Sequence, residues 1–248
     1  MSYVADVCEI AREAGAAILG VYNGTDFEVR MKSDDSPLTA ADIAAHNVIV
    51  AGLERISDIP VLSEESDSIA WRERKTWSRY WLVDPLDGTK EFVSRNGEFT
   101  VNIALIDAGV PVLGVVYVPV TNVLYAGVQG KVSEAWVEDA AGRRAISTRK
   151  LGTDAITVVG SRRHGGEALE ACLTSLRVKF PRVDMTSMGS SLKICLVAAG
   201  EADLYPRLAP TCEWDTAAAQ GVLEAAGGRV VDADLQTLRY NTKDELLN

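Results

Sequence analysis

Apolar residues recur at helical spacing from the start of the chain: Val4, Val7, Cys8, Ala11, Ile18 and Val21 share one face, and Gly24 ends the run. A second helix is predicted from Thr39, whose hydroxyl suits an N-cap, to Ile56. Residues 59–63 read as a short extended segment, 71–78 as a short helix, and 80–83 as a strand ending at Asp84-Pro85. Three more strands, over 100–107, 112–118 and 123–128, are separated by Gly, Pro and Asn punctuation. Residues 135–147 hold two strand-like pieces around an Ala-Gly turn and read as a hinge between two halves.

Past that point strands and helices alternate. Strands are predicted over 155–160, 182–186, 202–205 and 229–232. Helices are predicted over 167–176, over 190–199 with Gly200 as the stop, and over 216–226 closed by Gly227-Gly228. With no internal repeat and no low-complexity linker, the pattern predicts an α/β (α+β mixed) protein of layered helices and sheets. Its two expected subdomains are 1–137 and 138–248.

One stretch has a second reading. Residues 108–130 carry no charge and have the length of a membrane span. Pro111, Pro119 and Thr121-Asn122 interrupt it, and the β-branched Val112, Val115, Val116 and Val118 suit buried strands instead, so no transmembrane segment is expected. Asp6, Glu9, Arg12 and Glu13 deny the N-terminus the apolar core of a signal peptide.

Composition narrows the function classes. A net charge of -10 argues against nucleic-acid partners, and an anionic substrate would need cations placed locally. The four cysteines form no C-x-x-C pair, which fits reduced thiols and a cytoplasmic location. Only two histidines are present, so a histidine-rich zinc site is not expected. There is no P-loop or G-x-G-x-x-G, and Ser190-x-x-Lys193 lacks the companion motifs of penicillin-binding enzymes.

The sharpest chemical feature is Trp81-Leu82-Val83-Asp84-Pro85-Leu86-Asp87-Gly88-Thr89-Lys90. A buried strand delivers one carboxylate at its end, and a second follows three residues later. With the backbone carbonyl between them, they offer hard oxygen ligands suited to Mg²⁺. Gly88 would let backbone N–H groups approach an anion, and Thr89 could open a helix there. Taken alone, D-P-x-D-G-T also describes an ordinary turn. Glu64-Glu65 alone describes a solvated charge run, and Asp215 alone an acid at a helix start. The three together are harder to assign to structure only.

Ser63-Glu64-Glu65, the run from Trp81 to Thr89, and Trp214-Asp215-Thr216-Ala217-Ala218 resemble the signature of the inositol monophosphatase-like, lithium-sensitive phosphatases. The resemblance spans nearly the whole chain. Lys32-Ser33-Asp34, Ser36-Pro37-Leu38-Thr39-Ala40-Ala41-Asp42 and Gly189-Ser190-Ser191-Leu192-Lys193 look closest to its 3′(2′),5′-bisphosphate nucleotidase branch. The resemblance implies an α-β-α-β-α sandwich of the inositol monophosphatase/fructose-1,6-bisphosphatase type and two or three Mg²⁺ ions. Glu64, Asp84 and the Leu86 carbonyl would hold one ion, and Asp84, Asp87 and Asp215 a second, with Glu65 a neighbour only. Such cations polarise a phosphate, activate a water and stabilise the departing alkoxide.

Asp42 would pair with Thr89 to orient the attacking water and take its proton. Thr39-x-x-Asp42 also reads as a helix-capping arrangement, and the two uses are compatible. Gly88, Thr89, His164, Ser190, Lys193 and Arg207 would contact the substrate. Arg162 and Arg163 also read as surface charge, and His164 as a loop histidine. The chain departs from the family at Ala219, where the pattern has glycine, and the resemblance puts a further strand after Asn248.

The expected activity is hydrolysis of adenosine 3′,5′-bisphosphate, and also of its sulfated derivative, in sulfur assimilation. An inositol or sugar phosphatase with the same metal site is the alternative. A non-catalytic metal or nucleotide-binding module is a third. The partner expected is a small-molecule bisphosphate nucleotide, for a monomer or homodimer in the cytoplasm or peripherally on the inner face of the cell membrane.

Overall fold

The computed structural model describes residues 3–24, 29–31, 37–66, 68–161 and 166–248, with backbone only for 29–31 and 37–39. In chain order the elements are α1 (Val4–Tyr22), β1 (Val29–Met31), β2 (Pro37–Thr39), α2 (Ala40–Ile56), β3 (Val61–Ser63), a 3-10 turn (Glu64–Ser66), α3 (Trp71–Arg74), β4 (Arg79–Asp87) and α4 (Thr89–Val93). They continue with β5 (Thr100–Asp107), β6 (Val110–Val118), β7 (Val123–Val128), β8 (Glu134–Asp139), β9 (Gly142–Ala145) and β10 (Ala155–Ser161). The last are α5 (Glu167–Lys179), β11 (Arg182–Met188), α6 (Leu192–Ala198) and α7 (Glu213–Ala225).

Strands β3 to β9 form one seven-stranded sheet in sequence order, with β3 and β4 parallel and the rest antiparallel. Successive side chains on a strand point to opposite faces. Trp81, Val83, Val101, Ile103 and Val115 accordingly pack against α1 and α2, while Tyr80, Leu82, Ala104, Ile106 and Val116 face α6 and α7. Because both faces are covered, these strands are unbroken apolar runs rather than alternating ones. β10 and β11 pair in parallel as a separate small sheet, and α5 covers it through a small core of Ile156, Val158 and Leu173. The layers are therefore helix, sheet, helix, sheet, helix, as expected.

Helix α7 lies directly on β6. A Cβ at Gly114 would sit 2.0 Å from the Ala218 carbonyl oxygen, so only glycine lets the helix backbone come this close. Ala219, at the family's glycine position, is fully buried in the same helix.

Several boundaries differ from expectation. β4 does not stop at Asp84-Pro85 but runs to Asp87, with a register break against β5 between Asp84 and Asp87. The helix expected over 71–78 is a single turn, and α6 starts at Leu192 rather than 190. α7 begins at Glu213, because the Glu213 N–H donates to the Leu246 carbonyl (2.8 Å), a contact with no local signal. The strands expected over 202–205 and 229–232 are reduced to the bridges Val158–Leu204 and Val231–Thr237. Residues 135–147 are no hinge: β8 and β9 complete the large sheet, so the 137/138 boundary falls inside β8. The uncharged 108–130 stretch forms β6 and β7, and no helix among the described residues is long and apolar enough to cross a membrane.

Asp203 ties the segment that leads into β10 to the small sheet. Its carboxylate accepts from Arg149 Nε (2.7 Å) and Nη2 (2.6 Å) and from the Thr157 N–H (2.7 Å), and its side chain is 6% exposed. The Arg149 bonds, helped by the Thr157 amide, hold the Asp203 carboxyl below its ordinary value of 3.8. A carboxyl lowered on folding stabilises the fold fully above its unfolded pKa, and that stabilisation disappears as pH falls through the folded one. Asp203→Asn is expected to cost roughly 1–3 kcal/mol at pH 7, with the gap to wild type closing below about pH 4. Urea denaturation of both proteins at pH 7 and pH 3 measures it.

Candidate active site

Asp84 lies near the end of β4, 1% exposed, and its Oδ1 accepts the Leu86 N–H at 3.0 Å. The register break takes Pro85 and Leu86 out of the ladder with β5, so Asp84 and Asp87 reach the same space. Gly88 follows at φ 94°, a left-handed turn that sends the chain into α4 with Thr89 as its first residue. Asp215 comes from the first turn of α7, where it closes a capping box with Cys212. Its Oδ2 accepts from the Thr211 hydroxyl and from the Cys212 N–H (2.9 Å). One carboxylate oxygen from each of Asp84, Asp87 and Asp215 lies within 4.8 Å of the other two.

The ionisation of Asp84 is opposed first by burial and then, in order, by Glu64, Asp87, Asp215 and Asp42, so it is pushed well above the ordinary carboxyl range. Asp42 is fully buried in the first turn of α2, and Glu64 heads the 3-10 turn after β3. Asp87 is pushed up to about 7 by burial and then by Asp215, against the pull of Lys193 and the donors Ser191 and Asn102. Burial also raises Asp215. Two unit charges 4.8 Å apart repel by about 3.5 kcal/mol at an effective dielectric constant of about 20. Buried oxygen donors under that repulsion fit a hard divalent cation, which would relieve it.

A cleft of about 130 Å³ is lined by Asp87, Gly88 and Asp215 together with Ser190, Lys193 and Arg207, so acidic and basic groups share it. Lys193 is 7% exposed; its Nζ donates to the Ser190 carbonyl and at 3.4 Å to the Met188 carbonyl, and lies 5.5 Å from the Tyr205 ring centroid. Burial lowers its pKa, opposed by Asp87. Arg207 donates to the Pro210 carbonyl (3.0 Å). A second pocket of about 190 Å³ shares Ser161, Tyr205 and Arg207 with the cleft and is closed by Leu169, Pro206 and Leu208.

The structure thus gathers Asp42, Glu64, Asp84, Asp87 and Asp215 in one region and brings Ser190, Lys193 and Arg207 to the same cleft. Leu86 lies between the two aspartates, its N–H on Asp84, and Thr89 opens α4. Lys32, Ser33, Asp34, Arg162, Arg163 and His164 lie outside the described residues. Sequence reasoning missed Thr211 and Asn102, which hold Asp215 and Asp87. Asn102 had a signal, since it is the one amide in the apolar run from Thr100 to Ile106.

The sequence profile of the inositol monophosphatase family matches residues 1–248. The chain belongs to the inositol monophosphatase family. Members of this family are metal-dependent phosphatases, which accords with the acidic cluster. The chain is 52% identical over 244 residues to the 3′(2′),5′-bisphosphate nucleotidase CysQ of Shigella flexneri and to that of Escherichia coli K12, covering 98% of this chain and 95% of each relative. Among solved structures, CysQ from Bacteroides thetaiotaomicron superposes with a TM-score of 0.87 at 42% identity, covering 99% of this chain and 94% of that one. An inositol monophosphatase from Anabaena gives 0.70 at 25% identity, covering 96% and 86%.

Because the folded pKa of Asp87 is raised from 3.8 to about 7, the metal-free fold holds more protons than the unfolded chain across that window. Its stability is greatest below the unfolded pKa and falls as pH rises through the folded one. In chelator at pH 7.5, Asp87→Asn is therefore expected to be more stable than wild type by roughly 1–3 kcal/mol, and the gain to vanish near pH 4. Millimolar divalent cation should raise the wild-type melting temperature more than that of the variant. Thermal melts at both pH values, with and without the ion, test this.

Proposed function

We propose that the chain is a Mg²⁺-dependent 3′(2′),5′-bisphosphate nucleotidase that converts adenosine 3′,5′-bisphosphate to AMP and phosphate. The observation that carries this is that the cleft onto which Asp87 and Asp215 open is also lined by Lys193 and Arg207. A substrate with two phosphates can meet a cation held by the acids and these cationic side chains in one cleft. The 52% identical relatives from Shigella flexneri and Escherichia coli, 3′(2′),5′-bisphosphate nucleotidases, support the same choice.

Glu64, Asp84, the Leu86 carbonyl, Asp87 and Asp215 would hold two or three Mg²⁺ ions, whose chemistry is to polarise the phosphate and offset the charge that develops on it. Asp42 and Thr89 orient the attacking water, and Asp42 takes its proton. The water oxygen bonds to phosphorus as the bond to the 3′ oxygen breaks, and that oxygen leaves with a proton as the free hydroxyl of AMP. Ser190, Lys193 and Arg207, with His164, hold the phosphate that stays; a guanidinium fork suits it. The sulfated nucleotide offers the same 3′-phosphate and is a second substrate. The activity would serve sulfur assimilation in the cytoplasm.

Phosphate release from adenosine 3′,5′-bisphosphate and from inositol 1-phosphate, each with and without Mg²⁺, decides between substrates. The nucleotide is expected to be favoured, with release dependent on Mg²⁺. Lys193→Met and Arg207→Met should each lower kcat/KM for the nucleotide by roughly 10- to 100-fold and change the inositol ester little. Preference for the inositol ester would overturn the substrate assignment and leave the metal site standing.

A further inference from the structure

Asp87 is held by residues distant in the sequence. Its Oδ2 accepts the Ser191 backbone N–H at 2.5 Å and, at a longer 3.4 Å, an N–H of the Asn102 side chain. The same Ser191 donates its hydroxyl to Asn102 Oδ1 (2.8 Å), and the Thr100 and Ser191 hydroxyl oxygens lie 3.0 Å apart. All three partners are buried: Thr100 at 0%, Asn102 at 1% and Ser191 at 3% exposed.

The proton count fixes a direction. A serine hydroxyl has one proton, and a carbonyl oxygen can only accept, so the proton of Ser191 goes to Asn102 Oδ1. Thr100 must then donate to Ser191. With its oxygen occupied, the Asn102 amide turns its N–H₂ end toward Asp87. The reversed amide would set a carbonyl dipole against an ionised carboxylate. Ser190, at φ 46°, is the left-handed residue that brings the Ser191 N–H round to Asp87. Among the described residues, no donor reaches Asp87 Oδ1.

We propose that Thr100, Ser191 and Asn102 form a one-way hydrogen-bond relay that commits Asp87 Oδ2 to the protein and aims Oδ1 at the cation. Ser191 is its pivot and sets divalent-cation affinity as a positioning residue, in an inference resting on the cation role proposed above for Asp87. The relay also joins β5 to the start of α6, so Asp87 is held by the segment that also presents Ser190 and Lys193 to the cleft.

The test is calorimetric titration of Mg²⁺ into metal-free wild type, Ser191→Ala, Ser191→Thr, Asn102→Leu and the isosteric Thr100→Val, with circular dichroism as the check on folding. Removing outer-shell partners of this kind weakens metal binding by about 10- to 100-fold. Ser191→Ala and Asn102→Leu are expected to weaken Mg²⁺ by about tenfold. Ser191→Thr, which keeps the hydroxyl, should stay within about threefold of wild type, and Thr100→Val should shift affinity in the same direction as Ser191→Ala but less. In turnover, the Mg²⁺ concentration for half-maximal rate should rise while KM for adenosine 3′,5′-bisphosphate stays put. Wild-type Mg²⁺ affinity in folded Ser191→Ala, Asn102→Leu and Thr100→Val would overturn the relay alone. Wild-type protein that binds no divalent cation would overturn the proposed function as well.

Discussion

Asp84 is a carboxylate at 1% exposure with Glu64, Asp87, Asp215 and Asp42 opposing its charge. Much else in the architecture exists to keep that unfavourable group in place. No single element could supply it. β4 contributes two acids across a register break, α2 and the 3-10 turn one each, and α7 the last. The hydrophobic layers on both faces of the large sheet supply the stabilisation against which this repulsion is set. A site so built is poorly satisfied by itself and has the oxygen donors that a cation needs.

The same constraint explains the close seating of α7. Asp215 must reach the end of β4 from the first turn of a helix that crosses the sheet, and Gly114 on β6 lets the two backbones approach. The helix start is held in turn by Thr211 and Cys212 against Asp215, and by Leu246 and Asn241 against Glu213. Glu213 is fully buried and pushed up to about 7, chiefly by burial, so this end of the helix is a second costly polar spot beside the first.

Positive charge is brought to the same cleft by Lys193 and Arg207. Lys193 is buried, its pKa lowered by desolvation, and Asp87 is the leading charge that favours its ammonium. Acidic and basic groups therefore act on each other within the cleft. Tyr205 and Arg207 also wall the adjoining pocket, so one segment contributes to both spaces.

The sequence by itself determined most of the helices and strands through periodicity and apolar runs. Each acidic motif alone also reads as a turn, a charge run or a helix start, and only their occurrence together, with the family resemblance, marked the carboxylates. Only the tertiary structure decided that β4 runs on to Asp87, that α7 starts at Glu213, and that residues 135–147 finish the large sheet. Periodicity reports local exposure, whereas these boundaries are set by pairing with distant strands and by the chain around Leu246. The meeting of Asn102 with Ser191 is of the same kind, joining residues 89 apart. An amide in a buried strand signals that a partner must exist, but which group satisfies it depends on the packing of α6 against the sheet.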